Sequence, residues 1–252
     1  MALFDTAGPV EGKGVTFATD EAAVPPITRW SYTALAKFRI CPMSIFLSKV
    51  MKYEEVTKNE AMERGNKIHK MAEDYVQGEI LDLPKELSKF QDKFEWLREE
   101  YLEGNVTIEH NWGFDKDWNP VSWRDKNCWA MIKLDASVKM TSTEMLVIDH
   151  KTGKKFGNEM KHRAQGLVYV VGTFMQYPEV DYVRFEFWYL DQGQQEKVVG
   201  EYTREQMGQI LLPRIEKQAH ELTDATKFPP QPSVENCRFC PHKENGKCDY
   251  SA

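Results

Sequence analysis

From Ser31 onward the apolar positions recur with two periods, one near 3.6 residues and one of two. The longer period predicts helices from Ser31 to about Met51, Glu60 to Gln77 and Lys85 to Glu103. Strands are predicted near Val106 to Trp112, Cys128 to Met140 and Met145 to Lys151. A helix opened by Gly157-Asn158 runs to about Gln176, followed by strands at Tyr182 to Leu190 and Glu196 to Tyr202 and a helix from Arg204 to about Leu222. Strands bracketed by helices imply an α/β protein, an α/β/α sandwich around a mixed sheet with a helical elaboration at its N-terminal side.

The segment Thr141-Ser142-Thr143 is small and polar between two apolar, β-branched stretches, and so reads as a hairpin loop. Pairing Met140 with Glu144 then sets Asp135 opposite Asp149. Asp149 and Lys151 share a face of their strand with Asp135, while Leu134, Ala136, Val138, Leu146 and Ile148 point the other way. Opposed carboxylates are destabilising unless a cation neutralises them, and hard ions such as Mg²⁺ or Mn²⁺ prefer such oxygen ligands. An ion there suits phosphodiester hydrolysis, with the lysine positioning a water or stabilising the transition state. Taken one at a time, these are ordinary strand charges. Their conjunction is what points to chemistry.

Two helices add to the constellation. Gln165 and Tyr169 lie four apart and share a helix face, and Gly65 and His69 do the same on the earlier helix. Each pair alone reads as packing or surface. Together with Asp135 and the run Ile148-Asp149-His150-Lys151-Thr152-Gly153, they resemble the active-site signature of RecB-type nucleases in the PD-(D/E)XK superfamily. That resemblance implies a restriction-endonuclease-like core over most of the chain from Ser31 to Cys248. It implies a metal held by His69, Asp135 and Asp149, with Glu109 as a lower-ranked ligand that salt-bridging would explain equally well. Lys151 would assist the attacking water, and Gln165 and Tyr169 would position substrate. The other histidines, His150 among them, receive no such role.

Five cysteines form the second constellation. Three sit in the tail as Cys237-x-x-Cys240 and Cys248, among Pro229, Pro230, Pro232 and Pro241. Thiolates at C-x-x-C spacing converge on a metal or an iron–sulfur cluster. The resemblance supplies Cys41 as the fourth ligand of a [4Fe–4S] cluster, the arrangement of AddB-type and CRISPR-adaptation nucleases. Zinc at the four cysteines is the alternative, and His242 could replace one of them. An odd cysteine count, a chain large enough to build its own core and no recognisable signal peptide argue against a disulfide framework and fit a reducing cytoplasm. Cys128 is left over as a buried strand thiol.

Composition narrows the classes. The chain has 252 residues, 41% hydrophobic and 29% charged, and no apolar stretch long enough for a membrane. Residues 1–30 read as an extended arm, 31–226 as the nuclease domain and 227–252 as the cysteine-rich tail joined to Cys41. A net charge of −6 still permits a local basic surface, and Lys154, Lys155, Lys161 and Arg163 follow Lys151 beside the catalytic strand as DNA-backbone candidates. Trp30, Trp112, Trp118 and Trp123 read mostly as core. The expected activity is a metal-dependent DNA exonuclease acting at ends in recombination, replication or repair, possible in a phage, with proteins of those processes or of CRISPR adaptation as partners. The alternative is a DNA-end-binding or assembly module that keeps the fold without catalysis.

Overall fold

The computed structural model describes residues 26–53, 60–153, 155–194 and 198–251. The chain divides into two compact units, one formed by residues 59–216 and the other by 1–58 with 217–252.

The first of these units carries the sheet. Its elements are α3 (Glu60–Gln77) and α4 (Gln91–Leu102), then β1 (Val106–Phe114), β2 (Pro120–Val121), β3 (Ala130–Lys139), β4 (Glu144–Lys151), α5 (Glu159–Gln176), β5 (Tyr182–Tyr189) and β6 (Val198–Thr203). The strand order is β2-β1-β3-β4-β5-β6. Every pairing is antiparallel except β4 with β5, which α5 connects as a βαβ crossover. This is the mixed, helix-covered α/β sheet expected from the two periodicities. The hairpin register also follows from the loop: Lys139 pairs Met145 and Ala136 pairs Ile148.

Several boundaries differ from the periodic reading. The segment Lys85–Phe90 is a 3-10 turn that follows extended Pro84 and feeds α4, the tighter winding common where a chain enters an α-helix. Cys128 and Trp129 belong to the turn entering β3, where Cys128 N–H bonds the carbonyl of Asp125. The two-residue β2 is too short to leave a periodic signal. Residues 195–197, the expected start of β6, lie outside the described residues.

One face of the sheet packs against α3 and α4. Ile68, Ala72, Val76, Phe94 and Leu97 meet Ala136, Val138, Leu146, Ile148 and Trp188 in one buried cluster, the apolar set that alternation assigns to a single side. The other face receives α5, which is apolar around most of its girth and buried from Gly166 to Phe174. Gly166 permits that close approach: a Cβ there would stand 2.5 Å from the Phe185 ring. Arg204 closes the C-terminal end of α5, donating to the carbonyls of Phe174 (3.2 Å), Tyr177 (2.8 Å) and Val180 (2.5 Å).

The second unit joins the two ends of the described chain. It contains α1 (Tyr32–Ile40) and the one-turn α2 (Pro42–Ile45), with α6 (Val234–Cys237) and α7 (Pro241–Glu244) from the tail. Ser31 caps α1 by accepting from the Ala34 amide at 3.3 Å. Ile27 and Trp30 are buried, while residues 1–25 of the expected arm lie outside the described residues. Phe228 packs edge-on to Phe38 and tilted against Phe46, and Asn236 donates to the Ile40 carbonyl at 3.2 Å. His242 is wholly buried, with Nε2 2.8 Å from the Ser48 hydroxyl.

Candidate active site

The β3–β4 ladder ends at Ala136 and Ile148, and the two strands diverge immediately beyond that pair. There the His150 amide, which a continuing ladder would have paired with main chain, donates to Asp135 Oδ2 at 2.6 Å. On the other side of β3, Glu109 lies opposite Asp135 and adopts φ 55, the left-handed region that a glutamate rarely occupies. The register of β1 with β3 resumes at His110 and Leu134. Local backbone strain thus sits beside the carboxylate at the centre of the site.

Two groups of side chains meet at this split. The first comes from α3 and the strands: His69 Nδ1 lies 3.0 Å from Asp135 Oδ1, and His150 Nδ1 lies 3.9 Å from Asp135 Oδ2. The donor atoms of His69, Asp135 and His150 all fall within 4.8 Å of one another. Glu73 and Glu109 line the same small cavity, and Glu109 is bridged by Lys133 at 2.6 Å. Gly65 brings α3 close enough for this, since a Cβ there would stand 3.0 Å from Thr152 Oγ1.

The second group lies on the α5 face. Lys151 Nζ is 2.5 Å from Asp149 Oδ2 and donates to Gln165 Oε1 at 3.1 Å. Gln165 Nε2 donates to Tyr169 Oη at 2.5 Å, and the Tyr169 hydroxyl donates to Asp149 Oδ1 at 2.6 Å. The helical spacing of four therefore closes a ring of Asp149, Lys151, Gln165 and Tyr169. The structure brings together seven of the sequence-derived positions in these two adjoining groups: His69, Asp135 and Glu109 in the first, and these four in the second.

Electrostatics separates the two aspartates. Burial opposes the Asp135 charge, but the hydrogen bond from His69, the nearby imidazoles and the His150 amide outweigh it and hold its pKa at about 2. Asp149 is displaced upward, because burial and the Asp135 charge together exceed the help from Lys151 and Tyr169. His69 is raised: burial works against the imidazolium, yet the Asp135 contact prevails. Burial pushes His150 down to about 4 and leaves it neutral, the form in which imidazole ligates metals. A pair of buried carboxylates whose charges oppose each other, with neutral imidazole alongside, is a donor set that a divalent cation fits.

His150 is the residue that sequence reasoning missed. Its place between Asp149 and Lys151 hid it, since alternation turns its side chain to the α3 face, where only the fold brings His69 beside it. Of the basic candidates, Lys161 and Arg163 are exposed, Lys155 is half-buried and Lys154 lies outside the described residues.

With this geometry the family can be read directly. The profile of the PD-(D/E)XK nuclease superfamily matches residues 29–126 and 133–245. The chain belongs to the PD-(D/E)XK nuclease superfamily. Asp135 and the run Asp149-His150-Lys151 both fall within the second matched stretch. No curated protein matches this PD-(D/E)XK chain in sequence. The crystal structure of SSO0001 aligns with it at a TM-score of 0.42 and 14% identity, covering 90% of this chain and 88% of that one.

Four of the cysteines lie within the unit of the chain ends. Cys41, Cys237, Cys240 and Cys248 line one cavity, and the Cys41 sulfur accepts the Gln231 amide at 3.4 Å. Burial and the other three thiols raise the Cys248 pKa. Among the described residues no three of these sulfurs lie within 4.8 Å of one another. Cys128 is buried apart from them. Trp30, Trp112 and Trp118 are buried as core. No helix among the described residues is long and apolar enough to cross a membrane.

Proposed function

We propose that this chain is a divalent-metal-dependent DNA nuclease of the RecB-like type, an exonuclease working at DNA ends. The observation that carries the reading is the junction at the strand split, where Asp135, Asp149 and Lys151 meet His69 from α3 and the Gln165–Tyr169 pair from α5. His69, Asp135 and Asp149, with Glu109 as an auxiliary, would hold Mg²⁺ or Mn²⁺, which supplies charge neutralisation at the phosphodiester and a lowered pKa for water. Lys151 stands at the carboxylate to orient the attacking water and to stabilise developing negative charge. Gln165 and Tyr169 fix both Lys151 and Asp149, so the reacting groups are held before substrate arrives.

Substrate reaches this strand end past the loop leading into α5. Lys155, Lys161 and Arg163, together with Lys154, supply positive charge for the phosphate backbone. Phe156 is 88% exposed within that loop and offers a face on which an unpaired base can stack.

We assign residues 31–226 to nuclease function and 227–252 to a cluster-binding tail closed by Cys41. A [4Fe–4S] cluster at Cys41, Cys237, Cys240 and Cys248 would act as a staple. A single tetrahedral zinc needs sulfurs roughly 3.8 Å apart, from Zn–S bonds of about 2.3 Å. The larger cofactor is favoured because one remote cysteine and three in the tail match the cluster arrangement of the nucleases this chain resembles. The setting we favour is recombination or replication in a bacterial or phage-infected cytoplasm, as in AddB-type or CRISPR-adaptation nucleases.

The test is digestion of end-labelled linear and circular DNA, single- and double-stranded, with Mn²⁺, Mg²⁺ or EDTA, using anaerobically purified protein and its Asp149→Ala variant. Metal-dependent loss of linear DNA that disappears in the variant supports the reading. DNA binding without cleavage under every condition would favour an end-binding module instead.

A further inference from the structure

His150 stands between two residues of the proposed catalytic set, yet its ring lies on the other side of β4. Ring centroids of Phe94, Trp188 and His69 are 5.2, 5.6 and 6.0 Å from it. The residue is 4% exposed, and its Nε2 has no hydrogen-bond partner among the described residues. A buried ring nitrogen in this position needs a partner that the surrounding apolar rings do not provide.

The same ring turns its other nitrogen, Nδ1, toward Asp135 Oδ2 at 3.9 Å. The donor atoms of His69, Asp135 and His150 gather within 4.8 Å, with Glu73 and Glu109 lining the same cavity. Bonds of about 2.0–2.2 Å to nitrogen and oxygen bring neighbouring donors to roughly 3–4 Å, a small contraction from this arrangement. We propose that His150 is itself a ligand of the divalent ion at this site, and that a second imidazole added to the carboxylates biases it toward first-row transition ions over Mg²⁺. The inference rests on the metal-dependent reading above and adds to it the ion the site selects. Mg²⁺ is hard and holds its waters and carboxylates tightly, whereas imidazole nitrogen contributes more to transition ions. A D-X-K strand end whose middle residue were aliphatic would lack that contribution.

The experiment is Mn²⁺ binding followed by electron paramagnetic resonance, with Mg²⁺ as competitor, on the full chain without DNA. The proteins compared are the unsubstituted chain, His150→Phe, His150→Asn and Asp135→Asn. Phenylalanine suits the aromatic surroundings, asparagine keeps a polar group, and thermal unfolding selects the folded variants. The expected result is roughly tenfold or greater loss of Mn²⁺ affinity in the His150 variants, with the Mg²⁺ competition constant nearly unmoved. Unchanged Mn²⁺ affinity in a folded His150 variant overturns the proposal. If Asp135→Asn abolishes Mn²⁺ binding in that case, only the role of His150 falls. If Asp135→Asn also leaves Mn²⁺ bound, the metal-site reading falls with it.

Discussion

Asp135 accepts the main-chain amide of His150 at 2.6 Å, so one carboxylate both ends the β3–β4 ladder and faces the candidate metal position. Its two oxygens serve different partners, Oδ1 facing His69 and Oδ2 the amide. Asparagine at this position keeps an oxygen for the amide while removing the charge. Asp135→Asn should therefore stay folded and lose cleavage by roughly 10²–10³-fold or more, the scale on which a preorganised electrostatic group acts. The measurement is a cleavage rate on end-labelled DNA beside a thermal unfolding curve. Near-normal cleavage in a folded Asp135→Asn protein would remove Asp135 from the site.

Tyr169 tests the second half of the site without removing a proposed ligand. Its hydroxyl donates to Asp149 Oδ1 and accepts from Gln165. Tyr169→Phe leaves the ring in place and a buried Asp149 oxygen short of a donor, at a cost of about 1–3 kcal/mol. We expect lower stability and a smaller fall in cleavage than Asp149→Ala gives. Because Tyr169 acts through Asp149, the metal concentration for half-maximal cleavage should rise together with the loss of rate. A variant that loses stability alone would mark Tyr169 as packing only.

The sequence made some of this site legible and concealed the rest for physical reasons. A three-residue polar loop fixes hairpin register, so the pairing down to Ala136 and Ile148 could be counted off, while the end of the ladder just before Asp135 and Asp149 could not. The spacing of Gln165 and Tyr169 fixes a shared helix face, and the structure closes both onto Lys151 and Asp149. Residues joined by tertiary contact alone were hidden. His150 acquires its neighbours only when α3 folds over the sheet, and Arg204, which closes the end of α5, is remote in sequence from the carbonyls it meets. Glu109 was visible as a carboxylate, but its left-handed φ was not, since nothing local in Ile108-Glu109-His110 demands it. Gly166 is explained by tertiary contact too, since the Phe185 ring fills the space that a side chain would need.

Buried histidines away from the metal position predict acid sensitivity. His110 is 8% exposed, with Nε2 2.7 Å from the Ser137 hydroxyl, and burial lowers its pKa from 6.5 to about 4. Between those values the unfolded chain takes up a proton that the folded chain refuses, so stability falls as pH falls. The contribution is fully present above pH 6.5 and approaches a loss of about 3 kcal/mol near pH 4. Urea unfolding in EDTA across pH 4–7 should show His110→Asn closing its stability deficit against the unsubstituted protein as pH falls. A constant deficit over that range would mean that His110 titrates normally in the folded state.

The cysteine site predicts a division between stability and chemistry. Cys41, Cys237, Cys240 and Cys248 line one cavity within the unit formed by the two ends of the chain, and the proposed reaction draws on none of them. Repulsion among four thiolates needs a cationic centre to offset it, and a centre bound only by the folded state adds its binding free energy to folding. Cys248→Ser should therefore lower iron content and thermal stability. Each kcal/mol lost corresponds to about 2–4 °C in a chain of this size. Cleavage per folded molecule, measured below the lowered transition, should change little. Iron analysis, the visible absorption of anaerobically purified protein and a melting curve distinguish the outcomes. Unchanged unfolding together with loss of iron would show that the cluster does not staple the chain ends. Full zinc occupancy with no iron in the unsubstituted protein would instead identify a structural zinc, and the expected loss of stability would then follow from removing a zinc ligand.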